Sequence, residues 1–139
     1  MNLTDITVVI VTFKSEHKIF SCLDSIPKES KIIIIENSDN IKFKQKLEAY
    51  RSNVECFLLK RNDGYAVGNN FGLSKVKTKF ALVINPDTRL LKNSLENFYT
   101  TAQENSDFWL IGPNQDFTNF KQNGNILKVD NIKGYAMFF

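Results

Sequence analysis

Ile6-Thr7-Val8-Val9-Ile10-Val11 is a nearly unbroken β-branched run, the pattern of a strand covered on both faces. The period then changes. Ile19, Phe20, Leu23 and Ile26 recur at helical spacing, Ser15 stands where an N-cap is expected, and Pro27 ends the helix. Lys31 to Ile35 repeats the buried-strand pattern, Ile41 to Arg51 reads as a helix made amphipathic by Phe43, Leu47 and Tyr50, and Val54 to Leu59 reads as a third strand. After a polar, glycine-containing loop over 60–66, the spacing predicts a short helix from Val67 to Lys75, a strand from Phe80 to Ile84, and a helix from Asn93 to Asn105 with Leu95, Phe98, Tyr99 and Ala102 on one face. A fifth short strand is predicted over Phe108 to Ile111, an ordered loop over 112–124, and two further strands over Ile126 to Val129 and Tyr135 to Phe139. Trp109, between Phe108 and Leu110, reads as a core residue. Strand–helix alternation through residue 111 predicts an α/β fold with a mostly parallel sheet and right-handed crossovers, in one domain over 1–139.

Composition narrows the classes. The chain has 139 residues, enough for a sizeable core; 42% are hydrophobic and 24% charged, as in a globular protein rather than a disordered one. A net charge of +3 is too mild to argue for nucleic acid, although phosphate ligands or an anionic membrane surface fit it. Cys22 and Cys56 have neither CxxC spacing nor a histidine partner set, and both read as buried thiols in a reducing compartment. No basic leader precedes the first apolar run, and no stretch approaches the ~20 apolar residues of a membrane span, so a cytoplasmic location is expected.

The chemistry-bearing residues fall at predicted strand ends. Asn85-Pro86-Asp87-Thr88 follows the fourth strand, which puts an oxygen ligand where open α/β sheets bind their ligands. Mg²⁺ or Mn²⁺ needs only one or two carboxylates plus substrate phosphates, and Asp87 could supply one; a strand-to-helix turn capped by Asp87 or Thr88 is the plainer reading. Thr12-Phe13 follow the first strand and Glu36-Asn37-Ser38-Asp39 the second. Glu36 could accept from a base N–H or a ribose hydroxyl, or it could be solvated or cap the helix that follows, for which Asp39 is the better candidate. Between these elements Gly64, Gly68 and Gly72 recur four apart, with Asn69 and Asn70 among them. An Asp-Gly turn and close helix packing would explain the glycines; a backbone that closely approaches a phosphate ligand would explain them too. There is no GxGxxG and no Walker A lysine. His17 and the lysines 42, 44 and 46 read as surface residues.

Taken together and in this order, these elements resemble the family 2-like glycosyltransferases of GT-A fold, especially bacterial rhamnosyltransferase-like members. Val9-Ile10-Val11-Thr12-Phe13-Lys14 is similar to the family's opening "VxIVTxN" strand, and Ile35-Glu36-Asn37-Ser38-Asp39 to its "VDNxSxD" element, with Glu36 in place of the usual Asp. The segment from Asn62 to Leu73 is similar to "NxGfaxGNNxGi", Val83 to Thr88 to "flNPDt", and Val129 to Phe139 to a later "vdxvsGaxmlf" strand. The resemblance implies a three-layer Rossmann-like fold, with residues 1–111 as the donor-binding half and 112–139 as the start of the acceptor side. It implies that Thr12, Phe13, Glu36, Asn37, Gly64, Asn69, Asn70 and Asn85 line the nucleotide-sugar site. It further implies that Asp87 binds a divalent metal, Mg²⁺ or Mn²⁺. The implied reaction is transfer of a sugar, with inversion, from a dTDP- or UDP-sugar to a glycan or lipid-linked acceptor at the inner membrane face.

In the family the catalytic base lies in an acidic pair after the Gly134-like strand. Here no acidic residue follows Asp130, and neither Asp116 nor Asp130 matches that motif. The expectation is therefore a donor-binding part, truncated at its C-terminus, whose base lies beyond the chain end; the alternative is an inactive nucleotide-sugar-binding module. An apolar edge at 135–139 is then expected to self-associate or to pack over its own sheet. A receiver-like signalling domain would want an acidic pair after the first strand and a phosphoacceptor Asp after the third, and a pyrophosphorylase a glycine-rich basic loop after the first. Thr12-Phe13-Lys14-Ser15-Glu16 and Lys60-Arg61 supply none of these.

Overall fold

The computed structural model describes residues 2–114, 126 and 129–139. A 3-10 turn leads into Ile6–Thr12 (β1), followed by Ile19–Asp24 (α1), Lys31–Glu36 (β2), Ile41–Tyr50 (α2), Val54–Leu58 (β3), Tyr65–Ser74 (α3), Phe80–Ile84 (β4), Ser94–Glu104 (α4) and Ala136–Phe138 (β5). Among the described residues these strands form one sheet in the order β3-β2-β1-β4-β5. The first four strands run parallel and β5 antiparallel to β4. The chain winds outward from β1 through β2 to β3, then returns to place β4 on the other side of β1. The carboxyl ends of β1 and β4 thus border a topological switch point, where open α/β sheets leave a crevice.

Alternation within each strand explains why the β-branched runs are continuous. Ile6, Val8, Ile10, Ile32, Ile34, Leu82 and Ile84 point to one face, where Ile19, Leu23, Phe43, Leu47, Leu95 and Ala102 from α1, α2 and α4 cover them. Val9, Val11, Ile33, Ile35 and Val83 point to the other, against Phe71 and Leu73 of α3. The result is three layers, as the strand–helix alternation predicts. Among the described residues no helix is long and apolar enough to cross a membrane.

Helix α3 lies unusually close to the sheet, and Gly68 and Gly72, one turn apart, are the reason. A Cβ on Gly72 would sit 2.5 Å from Val9 Cγ1, and one on Gly68 2.8 Å from Val11 Cγ1. Both valines are β-branched and buried, so they have little room to give. Gly72→Ala is therefore expected to lower stability by about 1–2 kcal/mol, overpacking outweighing the gain in helix propensity; a denaturant midpoint equal to or above that of the parent chain would contradict this.

Several expectations are corrected. Phe108 to Ile111 is not a strand: only Ile111 pairs, as an isolated antiparallel bridge in which Ile111 and Phe138 exchange N–H···O bonds of 2.8 Å. Phe108 and Ile111 reach the core from this turn, while Trp109 between them projects outward and is 92% exposed rather than buried. Ser15 is not the N-cap of α1, which begins only at Ile19; its hydroxyl donates to Phe13 O, and its carbonyl accepts from Lys18 and Ile19 N–H. Asn40, not Asp39, caps α2, its Oδ1 accepting from Phe43 N–H at 3.0 Å. Helix α3 starts two residues before the predicted Val67. Ile126 and Val129 are exposed and in no strand; the rest of that predicted strand, residues 115–124 of the predicted loop, and Asp116 lie outside the described residues.

Of the two outcomes expected for the apolar segment at 135–139, the second holds: it packs into its own sheet. β5 pairs with β4 on one side and meets Ile111 on the other, and Phe138 is fully enclosed, stacked on Phe98 at 5.3 Å and tilted over Phe80 at 5.2 Å. The segment completes its own sheet because aromatic rings from β4 and α4 cover it. Phe139 remains partly exposed.

Candidate functional site

The site is built from the carboxyl ends of β1, β2 and β4 and the first turn of α3. Thr12 closes β1 and is fully buried; its carbonyl accepts from Asn37 N–H at 2.9 Å, which ties the ends of β1 and β2 together. Phe13, next in sequence, turns outward and is largely exposed.

Glu36 ends β2 with no exposed surface. One carboxylate oxygen accepts from the backbone N–H of Ser38 at 3.0 Å and from the Ser38 hydroxyl; the other accepts from Asn40 N–H at 2.9 Å. The side chain therefore organises the loop leading to the N-cap of α2; it is neither solvated nor itself the cap, which is Asn40. Asp39 in that loop has φ 54, a left-handed conformation that short polar residues tolerate.

Asn37 faces the other way, toward α3. Its Nδ2 lies 3.4 Å from both Asn62 Oδ1 and Gly64 O. Asn62 Oδ1 also accepts from Gly64 N–H at 3.0 Å, forming a tight turn into the helix. Gly64 is the N-cap of α3 with φ 91, a conformation that L side chains rarely adopt, so here the glycine is a backbone requirement. Asn69 lies on the buried face of α3, whereas Asn70 is on the exposed face and is not brought to the same place. Tyr65 donates its hydroxyl to Gly134 O at 2.9 Å, joining the start of α3 to the approach to β5. Burial raises the pKa of that hydroxyl, with a hydrogen bond from Asn69 opposing the rise.

The Oδ1 atoms of Asn37 and Asn69 are buried without any hydrogen-bond partner. Asn37 is 2% exposed and Asn69 6%, so bulk water does not satisfy them. Buried acceptors are normally paired, and two orphans flanking the first turn of one helix are what a site lacking an external donor would show.

Beyond β4 the backbone turns sharply. Asn85 N–H donates to Tyr135 O at 3.1 Å, and Asn85 O accepts from Thr88 N–H at 3.0 Å. Asn85 is half-buried and Asp87 exposed. The Asp87 carboxylate meets the ammonium of Lys18 at 3.3 Å. Cys22 lies beneath this turn, with Sγ 3.8 Å from Asn85 O. Burial first and the Asp87 charge second push its thiol up to about 12, so it stays protonated and does not compete as a thiolate ligand. Among the described residues no group of three or more His, Cys, Asp or Glu could hold a metal ion by itself. Asp87 does fit a hard divalent ion that takes its remaining ligands from phosphate and water, because it is accessible and lies at the switch-point edge.

A cleft of about 300 Å³ lined by Ser25, Pro27 and residues 90–96 contains none of these candidates. Sequence reasoning missed Lys18, Asn62 and Tyr65. Asn62 carried a local signal, the Asn-Asp-Gly turn; the other two owe their positions to partners 69 residues away.

Comparison with known proteins gives one consistent answer. The model of "Glycosyl transferase family 2" matches residues 7–136. A low-salt glycan biosynthesis hexosyltransferase of Haloferax volcanii, Agl10, is 27% identical over 115 residues, covering 80% of this chain and 36% of its own length. The structure superposes on S. aureus TarS 1–349 in complex with UDP-GlcNAc with a TM-score of 0.64 at 24% identity, covering 73% of this chain and 32% of that one. It superposes on the mannosyltransferase PcManGT of Pyrobaculum calidifontis, in complex with GDP-Man and Mn²⁺, with a TM-score of 0.63 at 14% identity, covering 70% of this chain and 32% of that one. The chain thus spans about a third of the length of these relatives.

Proposed function

The chain belongs to glycosyl transferase family 2, and from that premise we propose that it is the donor-binding part of an inverting glycosyltransferase that uses a nucleotide diphosphate sugar. The observation that carries this reading is the pair of buried, unpartnered acceptors, Asn37 Oδ1 and Asn69 Oδ1, on the same sheet edge as the accessible Asp87 carboxylate. Acceptors of this kind call for a ligand that donates hydrogen bonds, and the carboxylate calls for a cation that comes with phosphate.

Each residue then has a part. Asn37 and Asn69 accept from the nucleoside, whose base imide N–H or ribose hydroxyls are suitable donors. Uracil and thymine each present an imide N–H and guanine an N1–H and an amino group, so these acceptors suit all three; the preference for a UDP- or dTDP-sugar rests on the resemblance of the motifs. Thr12 and Glu36 shape this wall from behind, Thr12 through the strand end and Glu36 through its loop. Gly64 lets the backbone enter α3 tightly and Phe13 offers an exposed ring at the rim, while Asn70 stays on the outer face of α3, away from this wall. Asn85 sets the turn that presents Asp87, and Asp87 would hold a Mg²⁺ or Mn²⁺ ion. When bound, that ion would neutralise charge on the departing diphosphate.

In the reaction assigned here, an acceptor hydroxyl attacks the anomeric carbon from the face opposite the diphosphate. The bond from that carbon to the phosphate oxygen breaks, the nucleoside diphosphate leaves, and the hydroxyl proton passes to a carboxylate base. No residue of this chain is assigned as that base. The Haloferax relative, described as a glycan biosynthesis hexosyltransferase, supports a glycan as the acceptor; a lipid-linked acceptor at the cytoplasmic side of a membrane and a role in polysaccharide assembly rest only on the resemblance of the motifs. A rhamnosyl donor rests only on the likeness of Asn85-Pro86-Asp87 to rhamnosyltransferase-like motifs.

Titration calorimetry with UDP, dTDP and GDP tests the reading. One nucleotide is expected to bind in Mn²⁺, and to bind at least ~10-fold more weakly in EDTA, a difference of about 1.4 kcal/mol. Absence of binding by all three in Mn²⁺ would overturn it.

A further inference from the structure

The residue that meets Asp87 is a lysine placed there by the docking of a helix. Lys18, Cys22 and Ser25 are four and three residues apart, one ridge along α1 and its ends. All three side chains touch the turn after β4: Lys18 Nζ is 3.3 Å from Asp87 Oδ2, Cys22 Sγ 3.8 Å from Asn85 O, and Ser25 Oγ accepts from Leu90 N–H at 3.0 Å. Ile19 and Leu23, on the adjoining face of the same helix, are buried in the core. The ammonium is thus delivered to Asp87 by a helix anchored above and below it. As a stabilising contact the pair counts for little, since its side chains are 51% and 54% exposed. As a matter of charge it counts for more, because Asp87 is already neutralised before any ligand arrives.

We propose that Lys18 is a resident counter-cation that competes with the divalent metal for Asp87, so that the metal enters the site together with the donor diphosphate rather than ahead of it. This rests on the donor-site reading above for the identity of Asp87 as the metal ligand. A divalent ion approaching alone meets a neutral Lys18–Asp87 pair and the repulsion of the ammonium. A metal–diphosphate unit brings its own negative charge, which the displaced ammonium can face while the ion takes the carboxylate. The site is then close to neutral both with and without its ligand, and little charge is left uncompensated in either state.

The test is Mn²⁺ binding without nucleotide, followed by electron paramagnetic resonance on the intact chain, for the parent protein, Lys18→Gln and Lys18→Arg. Lys18→Gln is expected to bind Mn²⁺ about fivefold more tightly than the parent at low salt, with the gain shrinking as ionic strength rises. Lys18→Arg, which keeps the charge, is expected to stay within about twofold of the parent. An unchanged or weaker Mn²⁺ affinity in Lys18→Gln, an equal gain in Lys18→Arg, or undetectable Mn²⁺ binding by all three at millimolar metal would each overturn the proposal. A parallel UDP, dTDP and GDP titration in Mn²⁺ separates the two ideas. If no nucleotide binds while Lys18→Gln still tightens Mn²⁺, the donor reading falls and the competition between Lys18 and metal stands.

Discussion

Asp87→Ala is expected to abolish metal-dependent nucleotide binding while leaving the fold intact. Asp87 is the carboxylate presented by the turn after β4, and no cluster of three metal-ligating side chains exists among the described residues to replace it. Asp87 would be the charged side chain holding a hard divalent ion that comes with phosphate, and replacing it would remove that anchor. The expected loss in Mn²⁺ is at least ~10-fold in nucleoside diphosphate affinity, about 1.4 kcal/mol, leaving the variant close to the affinity that the parent shows in EDTA. Stability should barely move. Among the described residues the ion pair of Asp87 is with Lys18, half-exposed and contributing about 0–1 kcal/mol, and the turn itself is held by backbone bonds from Asn85 and Thr88 that do not use the carboxylate. Calorimetry with and without EDTA, beside a thermal melt, reads both halves of the prediction. Parent-like, metal-dependent binding by Asp87→Ala would remove the metal from this carboxylate. The direction is opposite to that expected for Lys18→Gln, so the two variants together distinguish loss of a ligand from relief of a competitor.

The fold was legible where local period and burial agree. The four parallel strands sit within a residue or so of the runs that predict them; β3, at a sheet edge, keeps an exposed Glu55, while β1, β2 and β4 are enclosed on both faces and so are almost wholly apolar. The antiparallel strand at 136–138 was visible for the same reason. What sequence could not supply was the outcome of competition between nearby groups. Residues 108–111 have strand-forming side chains, but a turn brings Phe108 and Ile111 inward and leaves Trp109 outside. Ser15 looks like a cap, yet its hydroxyl bonds backward to Phe13 O. In the site, Asp87 and the glycine–asparagine segment were readable because each lies at a strand or helix end. The Lys18–Asp87 pair was not, because a contact across 69 residues exists only once α1 has docked beside the turn after β4. The orphaned acceptors of Asn37 and Asn69 were equally invisible, since a missing partner is a property of packing and not of residue type.

Replacing Glu36 is expected to have its largest effect on the stability of the fold, and only through the fold on nucleotide binding. The carboxylate is wholly enclosed and accepts from Ser38 N–H, the Ser38 hydroxyl and Asn40 N–H, and Asn40 in turn caps α2 through Phe43 N–H. A hydrogen bond to a charged acceptor contributes about 1.5–3 kcal/mol net, not additively within one network, and donors stripped of their acceptor in a partly buried loop retain a desolvation penalty. Glu36→Ala should therefore lower unfolding stability by about 3–4 kcal/mol, within the range for breaking a buried polar network. Glu36→Gln should lower it by about 2 kcal/mol, because its NH₂ must face a donor wherever it is turned. Glu36→Asp keeps the charge but is one methylene shorter, so it can serve Ser38 or Asn40 but not both; about 1–2 kcal/mol is expected. Asn37 is carried by the same loop, so nucleotide affinity should fall in step with stability across the three variants. A side chain that instead touched the nucleoside would behave differently: Glu36→Gln would weaken nucleotide binding at unchanged stability. Chemical denaturation beside calorimetry on the three variants separates the cases, and a Glu36→Gln protein as stable as the parent would end the loop-organising assignment. That assignment also gives a physical meaning to the longer acid at this position, since its extra methylene lets one carboxylate span two residues of its own loop.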